Sequence, residues 1–311
     1  HADSVRTDAL GNLIVFKRGR KAAENRLMLC AHMDSIGFIV THIEKEGFLR
    51  LGRVGGIAAS EALYTPVRFK NGVRGGFAKE EKAELKGLKL DSCYVDIGAA
   101  DQDAAKKLVQ VGDTAVYDTP TICNGDKVIS PYLDNRIACA VLLGVLARLE
   151  DCPNDLYLVF SVQEEVGLRG AKTAAWAIDP DYALAVDVTD VDDTPGSERC
   201  GTVQLGKGAA IKVMDSSVIC HPAMVALLED TAREGDIPVA VCGEAAADPL
   251  YLPLLLSFGV RELSVLPAAL LPTRKAVSRW SLEEAHAVAA RALELETENQ
   301  VRAWLEENKR L

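Results

Sequence analysis

Residues 156–188 read LYLVFSVQEEVGLRGAKTAAWAIDPDYALAVDV. An apolar run ending at Val162 gives way to two acids and two glycines. Small and apolar residues at helical spacing follow, and then a second apolar run from Tyr182 to Val188. Two nearly continuous apolar strands with a helix between them belong in a mostly parallel sheet whose two faces are covered by helices, so the fold class is α/β. The same stretch poses a chemical question. Glu164 and Glu165 repel each other at a strand end unless they face solvent or a positive charge waits there.

Working outward, RLMLCAHMD (26–34) reads as a strand ending in His32 and Asp34, and LDNRIACAVLLGVLARLEDC (133–152) as a helix opened by Asp134. Between them, short β-like runs alternate with Gly, Asn and Asp turn signals, and DQDAAKKLVQV (101–111) reads as a helix. The resulting division is an α/β domain of residues 1–40 and 126–311 with a β-rich insert at 41–125. Downstream, IPVAV (237–241) and VRELSVL (260–266) read as strands around a helix at 248–259, and residues 281–310 as one long amphipathic helix.

Bulk composition narrows the function. With 311 residues, 49% hydrophobic and 26% charged, the chain can bury an enzyme-sized core. A formal net charge of −10 without a Lys/Arg cluster argues against a nucleic-acid binder. No apolar run approaches the roughly 20 residues of a membrane span. The eight cysteines form no C-x-x-C pair and several lie in apolar runs, the usage of a reduced, cytoplasmic chain.

In an open α/β sheet, ligands bind beyond the carboxyl ends of the strands. His32 and Asp34, Glu164 and Glu165, and Asp187 end three strands, and Asp134 opens a helix. One imidazole and several carboxylates at one sheet edge are ligands for Zn²⁺, Co²⁺ or Mn²⁺. One Glu of the pair then binds metal while its neighbour serves as general base, and Asp34 orients the His32 imidazole.

The segments TDALGNLI, AHMDSIGFIVTHIEKEGFLRLGRVGG, CYVDIGA, LDNRIACAVLLGVL, VQEEVGLRGA, AVDVT and LGKGAAIKVMDSSVICHP resemble, in order and spacing, the glutamyl/deblocking aminopeptidase family of co-catalytic metallopeptidases, which includes the tetrahedral aminopeptidases. The resemblance spans about residues 4–235. It implies a zinc-peptidase-like α/β fold, with Asp134 bridging two ions, His32 and Asp187 completing one site, and Glu165 serving the other. Glu164 would be the general base and Asp34 the orienter of His32. It further implies one or two Zn²⁺ or Co²⁺ ions per subunit, peptide substrates, and a 41–125 insert that dimerises the chain toward a homo-oligomer as large as a dodecamer.

Two departures accompany the resemblance. The family usually carries a longer N-terminal segment with a helix. Its Gly-Gly-Thr-Asp-Ala and Tyr-x-His-Ser motifs, the latter supplying a metal-ligand His, are missing; instead residues 237–311 resemble the end of phosphoenolpyruvate-protein phosphotransferase, whose acid would be Cys242. His221, His286 and Cys242 are the residues available to replace the missing His. Three functions stay open: a metal-dependent aminopeptidase impaired by loss of one ligand, an inactive peptidase-like scaffold, and, weakest, a phosphoenolpyruvate-related phosphotransferase fragment.

Overall fold

The computed structural model describes residues 1–20, 25–191, 193–195, 203–215, 218–235, 237, 239–242, 248–257, 267–295 and 297–310, with backbone only for 239–242, 267–270 and 298–299. The chain forms two units, His1–Val188 and Thr189–Leu311.

The first unit opens with a hairpin of β1 (Ser4–Thr7) and β2 (Leu13–Lys17). Its turn is set by Asp8, whose Oδ1 accepts the backbone N–H groups of Leu10, Gly11 and Asn12 at 3.0, 2.9 and 3.0 Å. Next comes β3 (Arg26–His32), and the chain then leaves the sheet for a closed barrel. The barrel strands are β4 (Gly37–Ile43), β5 (Leu49–Val54), β6 (Pro66–Phe69), β7 (Arg74–Lys79), β8 (Cys93–Asp96) and β9 (Thr114–Tyr117), closed in the order β4-β5-β8-β7-β6-β9, with helix α1 (Gln102–Leu108) inserted before β9. Alternate residues point inward, and Phe38, Phe69, Phe77, Leu49, Val67 and Val95 fill the interior. Phe38 and Phe77 stack at 5.2 Å. Each buried Phe contributes roughly 2–3 kcal/mol, and closure leaves no open strand edge.

A small hairpin, β10 (Ile122–Asn124) and β11 (Lys127–Ile129), leads into α2 (Leu133–Arg148), β12 (Asp155–Ser161), α3 (Arg169–Ile178) and β13 (Tyr182–Ala185). The sheet order is β1-β2-β12-β3-β13. β12 and β13 run parallel to β3, while β2 is antiparallel to both β1 and β12. The sheet is therefore mixed, and its antiparallel half lies in the N-terminal hairpin, which the apolar pattern did not single out. Helices cover both faces, as the strand composition required. Ala138, Cys139 and Leu142 of α2 pack on Val15, Ala31, Leu156, Leu158 and Phe160. Ala174 and Ile178 of α3 pack on Ile14, Met28, Cys30 and Val159. Successive residues of β3 and β12 serve opposite helices, the period-two alternation of a strand buried on both sides.

In the second unit β14 (Ala209–Lys212) and β15 (Val239–Cys242) pair in parallel. They are accompanied by α4 (Pro222–Glu234), α5 (Leu252–Ser257), α6 (Pro267–Val277), α7 (Leu282–Leu293) and α8 (Glu298–Glu307). Leu252, Leu254, Leu255, Ala285, Ala289 and Leu305 belong to its core. The terminal segment is two helices where its amphipathic pattern reads as one. Thr297 and Gln300 form a capping box, each side chain bonding the other's backbone N–H, and this starts a new helix at Glu298. The strand expected at 260–266 lies outside the described residues. No helix among the described residues is long and apolar enough to cross a membrane.

Candidate metal centre

Parallel pairing of β3 with β12 sets His32 opposite Ser161, so both strands deliver their ends to the same sheet edge. The Met33 N–H bonds the Ser161 carbonyl at 2.8 Å, and the Val186 N–H bonds the Cys30 carbonyl at 2.8 Å, which brings Asp187 to that edge from the β13 side. Asp134 arrives from above the sheet at the irregular start of α2. Tyr132 has φ 67°, Asp134 is extended within the helix's first turn, and the Asp134–Asn135 peptide is cis.

His32 is the hub. Its side chain is only 3% exposed, and its Nε2 lies 2.9 Å from Asp134 Oδ1, 3.7 Å from Asp187 Oδ1 and 3.9 Å from Glu164 Oε2. One ligand atom each from His32, Asp134 and Glu165 fall within 4.8 Å of one another. Three carboxylates thus face one imidazole nitrogen. Burial works against the imidazolium, but Asp187, Glu164 and Asp134 outweigh it and push the His32 pKa up to about 9. Burial also raises the Glu164 carboxyl, with Asp187, Asp34 and Asp134 adding to the rise and His32 opposing it. Glu165 is raised by burial and by Asp134 and Glu164. An imidazole and clustered carboxylates holding this much negative potential fit a hard or borderline divalent cation.

The other nitrogen of His32 faces Asp34. Nδ1 lies 3.1 Å from the Asp34 backbone carbonyl and 3.6 Å from its carboxylate. That carboxylate makes closer bonds elsewhere, accepting the backbone N–H of Glu164 at 3.1 Å and of Glu165 at 3.3 Å. Asp34 therefore touches the imidazole and the glutamate pair together. Gly55 borders the pair from the barrel side. Its φ is +81°, and a Cβ there would lie 2.7 Å from Ile36 Cγ2 and 3.2 Å from Glu165 Cβ.

Two buried amides at this edge escaped the sequence reading. Asn135, fully buried, donates from Nδ2 to the Val186 carbonyl at 2.9 Å, tying the residue after Asp134 to the residue before Asp187. Its Oδ1 is buried with no hydrogen-bond partner among the described residues. Asn12, also fully buried, reaches the base of the glutamate loop from the β1–β2 turn. Its place after a D-x-x-G turn was legible, its long-range partners were not. Among the residues considered as replacement ligands, His221 caps α4, its Nδ1 accepting the Ala223 N–H at 3.2 Å. His286 Nδ1 lies 2.8 Å from Ser257 Oγ. The Cys242 side chain lies outside the described residues.

A family model described as M42 glutamyl aminopeptidase matches residues 11–249. A protein of Acetivibrio thermocellus provisionally named an aminopeptidase is 48% identical, over 76% of this chain and 71% of its own length. Among solved structures, an aminopeptidase from the archaeon Desulfurococcus kamchatkensis is 37% identical with a TM-score of 0.72, covering 78% of this chain and 70% of that one. A Pyrococcus horikoshii peptidase, described as assembling into a tetrahedron or a large octahedral shell, is 32% identical with a TM-score of 0.69, covering 78% of this chain and 75% of its own. A shorter similarity, 47% identity over 60 residues, links 18% of the chain to 10% of phosphoenolpyruvate-protein phosphotransferase from Cupriavidus necator. That stretch is too small a part of the transferase to carry its activity. The match over 11–249 takes in all six acidic and imidazole residues gathered at the sheet edge, and on it the chain belongs to the M42 glutamyl aminopeptidase family of metal-dependent aminopeptidases.

Proposed function

We propose that the sheet edge is the hydrolytic centre, with His32, Asp134 and Asp187 holding one divalent ion and Asp134 and Glu165 a second. Glu164 is then the general base and Asp34 the residue that positions both His32 and the glutamate pair. The observation that carries the reading is the convergence of His32, Asp134 and Glu165 ligand atoms within 4.8 Å. A bound Zn²⁺ or Co²⁺ supplies Lewis acidity toward the peptide carbonyl and toward water.

The chain's own residues do the rest. Glu164, 3.9 Å from His32 Nε2, stands beside the ligands, and its raised pKa suits a group that takes a proton from the attacking water and returns it to the leaving amine nitrogen. Asp34 holds that carboxylate's backbone in place. The repulsion between Glu164 and Glu165 is offset by the cation that Asp134 and Glu165 would bind, which answers why two adjacent acids end a buried strand.

The substrates are N-terminal residues of short peptides. The barrel is the dimerisation domain of a homo-oligomer, a reading supported by the assembly described for the Pyrococcus horikoshii relative. The net charge of −10 speaks against nucleic acid as a partner, and the scattered cysteines suit a reducing cytoplasm. A second reading, reduced turnover or an inactive scaffold, rests on the sequence: the Tyr-x-His-Ser motif is missing, so beside Asp134 only Glu165 would serve the second ion.

The test is hydrolysis of aminoacyl-4-nitroanilides together with metal content. Glu164→Gln is expected to abolish hydrolysis with metal retained, and Glu165→Gln to lower metal content. Normal hydrolysis by both variants overturns the assignment, and a wild-type protein that binds metal without hydrolysis supports the scaffold.

A further inference from the structure

We propose that Asn12 is a positioning residue for the glutamate pair: its buried carboxamide clasps both ends of the 162–170 loop and so fixes where Glu164 and Glu165 stand. This rests on the roles given above to those two acids. At one end of the loop Asn12 Oδ1 accepts the Val162 N–H at 3.0 Å, and at the other Asn12 Nδ2 donates to the Gly170 carbonyl at 2.9 Å. The same Nδ2 also lies 2.7 Å from Asp8 Oδ2 and 3.2 Å from Thr173 Oγ1. The loop ends are thereby held close enough for the Gly170 N–H to bond the Val162 carbonyl at 3.0 Å. Nothing larger than glycine fits at 170, because a Cβ there would collide with the Val162 carbonyl and with Asn12 Oδ1.

The loop needs such a clasp. Gln163 and Leu168 both have φ of 59°, a left-handed conformation that strains a non-glycine residue and persists only where surrounding bonds impose it. Inside the loop, Gly167 and Leu168 N–H groups bond the Glu164 carbonyl at 2.9 Å each, and Arg169 N–H bonds the Gln163 carbonyl at 3.1 Å. Asp34 grips its tip through the Glu164 and Glu165 amides. Asn12 grips its base, from a turn that Asp8 pins three times over. Asn12 is fully buried, so its carboxamide bonds only protein groups, the loop ends among them.

Asn12→Asp keeps the acceptor for Val162 but removes the Nδ2 donor to the Gly170 carbonyl, which is left with the Thr173 hydroxyl at 3.0 Å, and sets a second negative charge against Asp8. Amide hydrogen exchange of the metal-free protein and titration with Zn²⁺ read the two halves of the proposal separately. Peptides spanning 162–170 are expected to exchange about tenfold faster with the barrel peptides unchanged. Zn²⁺ affinity is expected to fall about 10–100-fold. Unchanged exchange over 162–170 overturns the clasp whatever the acids do, and faster exchange with Zn²⁺ affinity within about twofold of wild type overturns its link to the metal site. Should Asn12→Asp fail to fold, Asn12→Ser, whose hydroxyl is too short to reach both loop ends, is expected to show about tenfold faster exchange confined to 162–170; no change there overturns the proposal. Failure of the hydrolysis reading is visible apart from this, in the metal content of Glu165→Gln.

Discussion

Asp34 Oδ1 accepts the backbone N–H of Glu164 at 3.1 Å, across 130 residues of chain. Since Oδ2 takes the Glu165 N–H at 3.3 Å and the Asp34 backbone carbonyl faces His32 Nδ1, one residue sets the imidazole and both acids. Asp34→Asn retains an acceptor for one amide and turns an N–H₂ group toward the other. Its turnover of an aminoacyl-4-nitroanilide is expected to fall about 100-fold with the fold intact. Full activity in this variant would show that the carboxylate's two amide bonds are dispensable.

Asn135 couples the two sides of the centre through the Val186 carbonyl. Asn135→Leu, similar in volume, removes the orphaned Oδ1 along with the Nδ2 donor. The lost bond to a buried carbonyl costs about 1–3 kcal/mol, partly offset by relief of the unpaired acceptor, so urea midpoints should shift little. Metal affinity should fall about 10–100-fold, because Asp134 and Asp187 are no longer tied to each other. A variant that binds metal as tightly as wild type contradicts that coupling.

With His32 as the proposed ligand, metal uptake is expected to depend on pH. In the metal-free protein its pKa is raised from 6.5 to about 9, so the charged imidazole stabilises the fold fully below pH 6.5, and that contribution is lost as pH rises through about 9. Metal ligation requires neutral Nε2 and runs in the opposite direction. Apparent affinity should rise with pH through this window, by up to about tenfold per pH unit for the single proton displaced. Calorimetric titration near neutral pH, in buffers of different ionisation enthalpy, should register about one proton released per ion. Absence of proton release would mean that His32 is not displaced of its proton by the metal.

The apolar runs of β3, β12 and β13 and the apolar residues of α2 and α3 made the two-faced sheet legible, because period and composition carry burial directly. Strand ends then marked His32, Glu164, Glu165 and Asp187, since loops beyond a parallel sheet share one edge. Less of the detail was legible. The β1–β2 hairpin has a short strand with every residue of Ser4–Thr7 exposed, leaving no apolar signal to read. The break before α8 rests on Thr297 and Gln300, a T-x-x-Q capping signal hidden inside a continuous amphipathic pattern. Asn12 and Asn135 act through partners 150 and 51 residues away, and no local pattern encodes such bonds.

A cation at the sheet edge would hold these side chains together. Diffraction from crystals grown with Zn²⁺, recorded at the zinc absorption edge, tests it most directly. An anomalous peak is expected about 2.0–2.2 Å from His32 Nε2 and from an Asp134 oxygen, with Asp187 completing that ion's ligands and any second peak shared between Asp134 and Glu165. A peak located elsewhere, or none at this edge in a protein that still hydrolyses peptides, would contradict it.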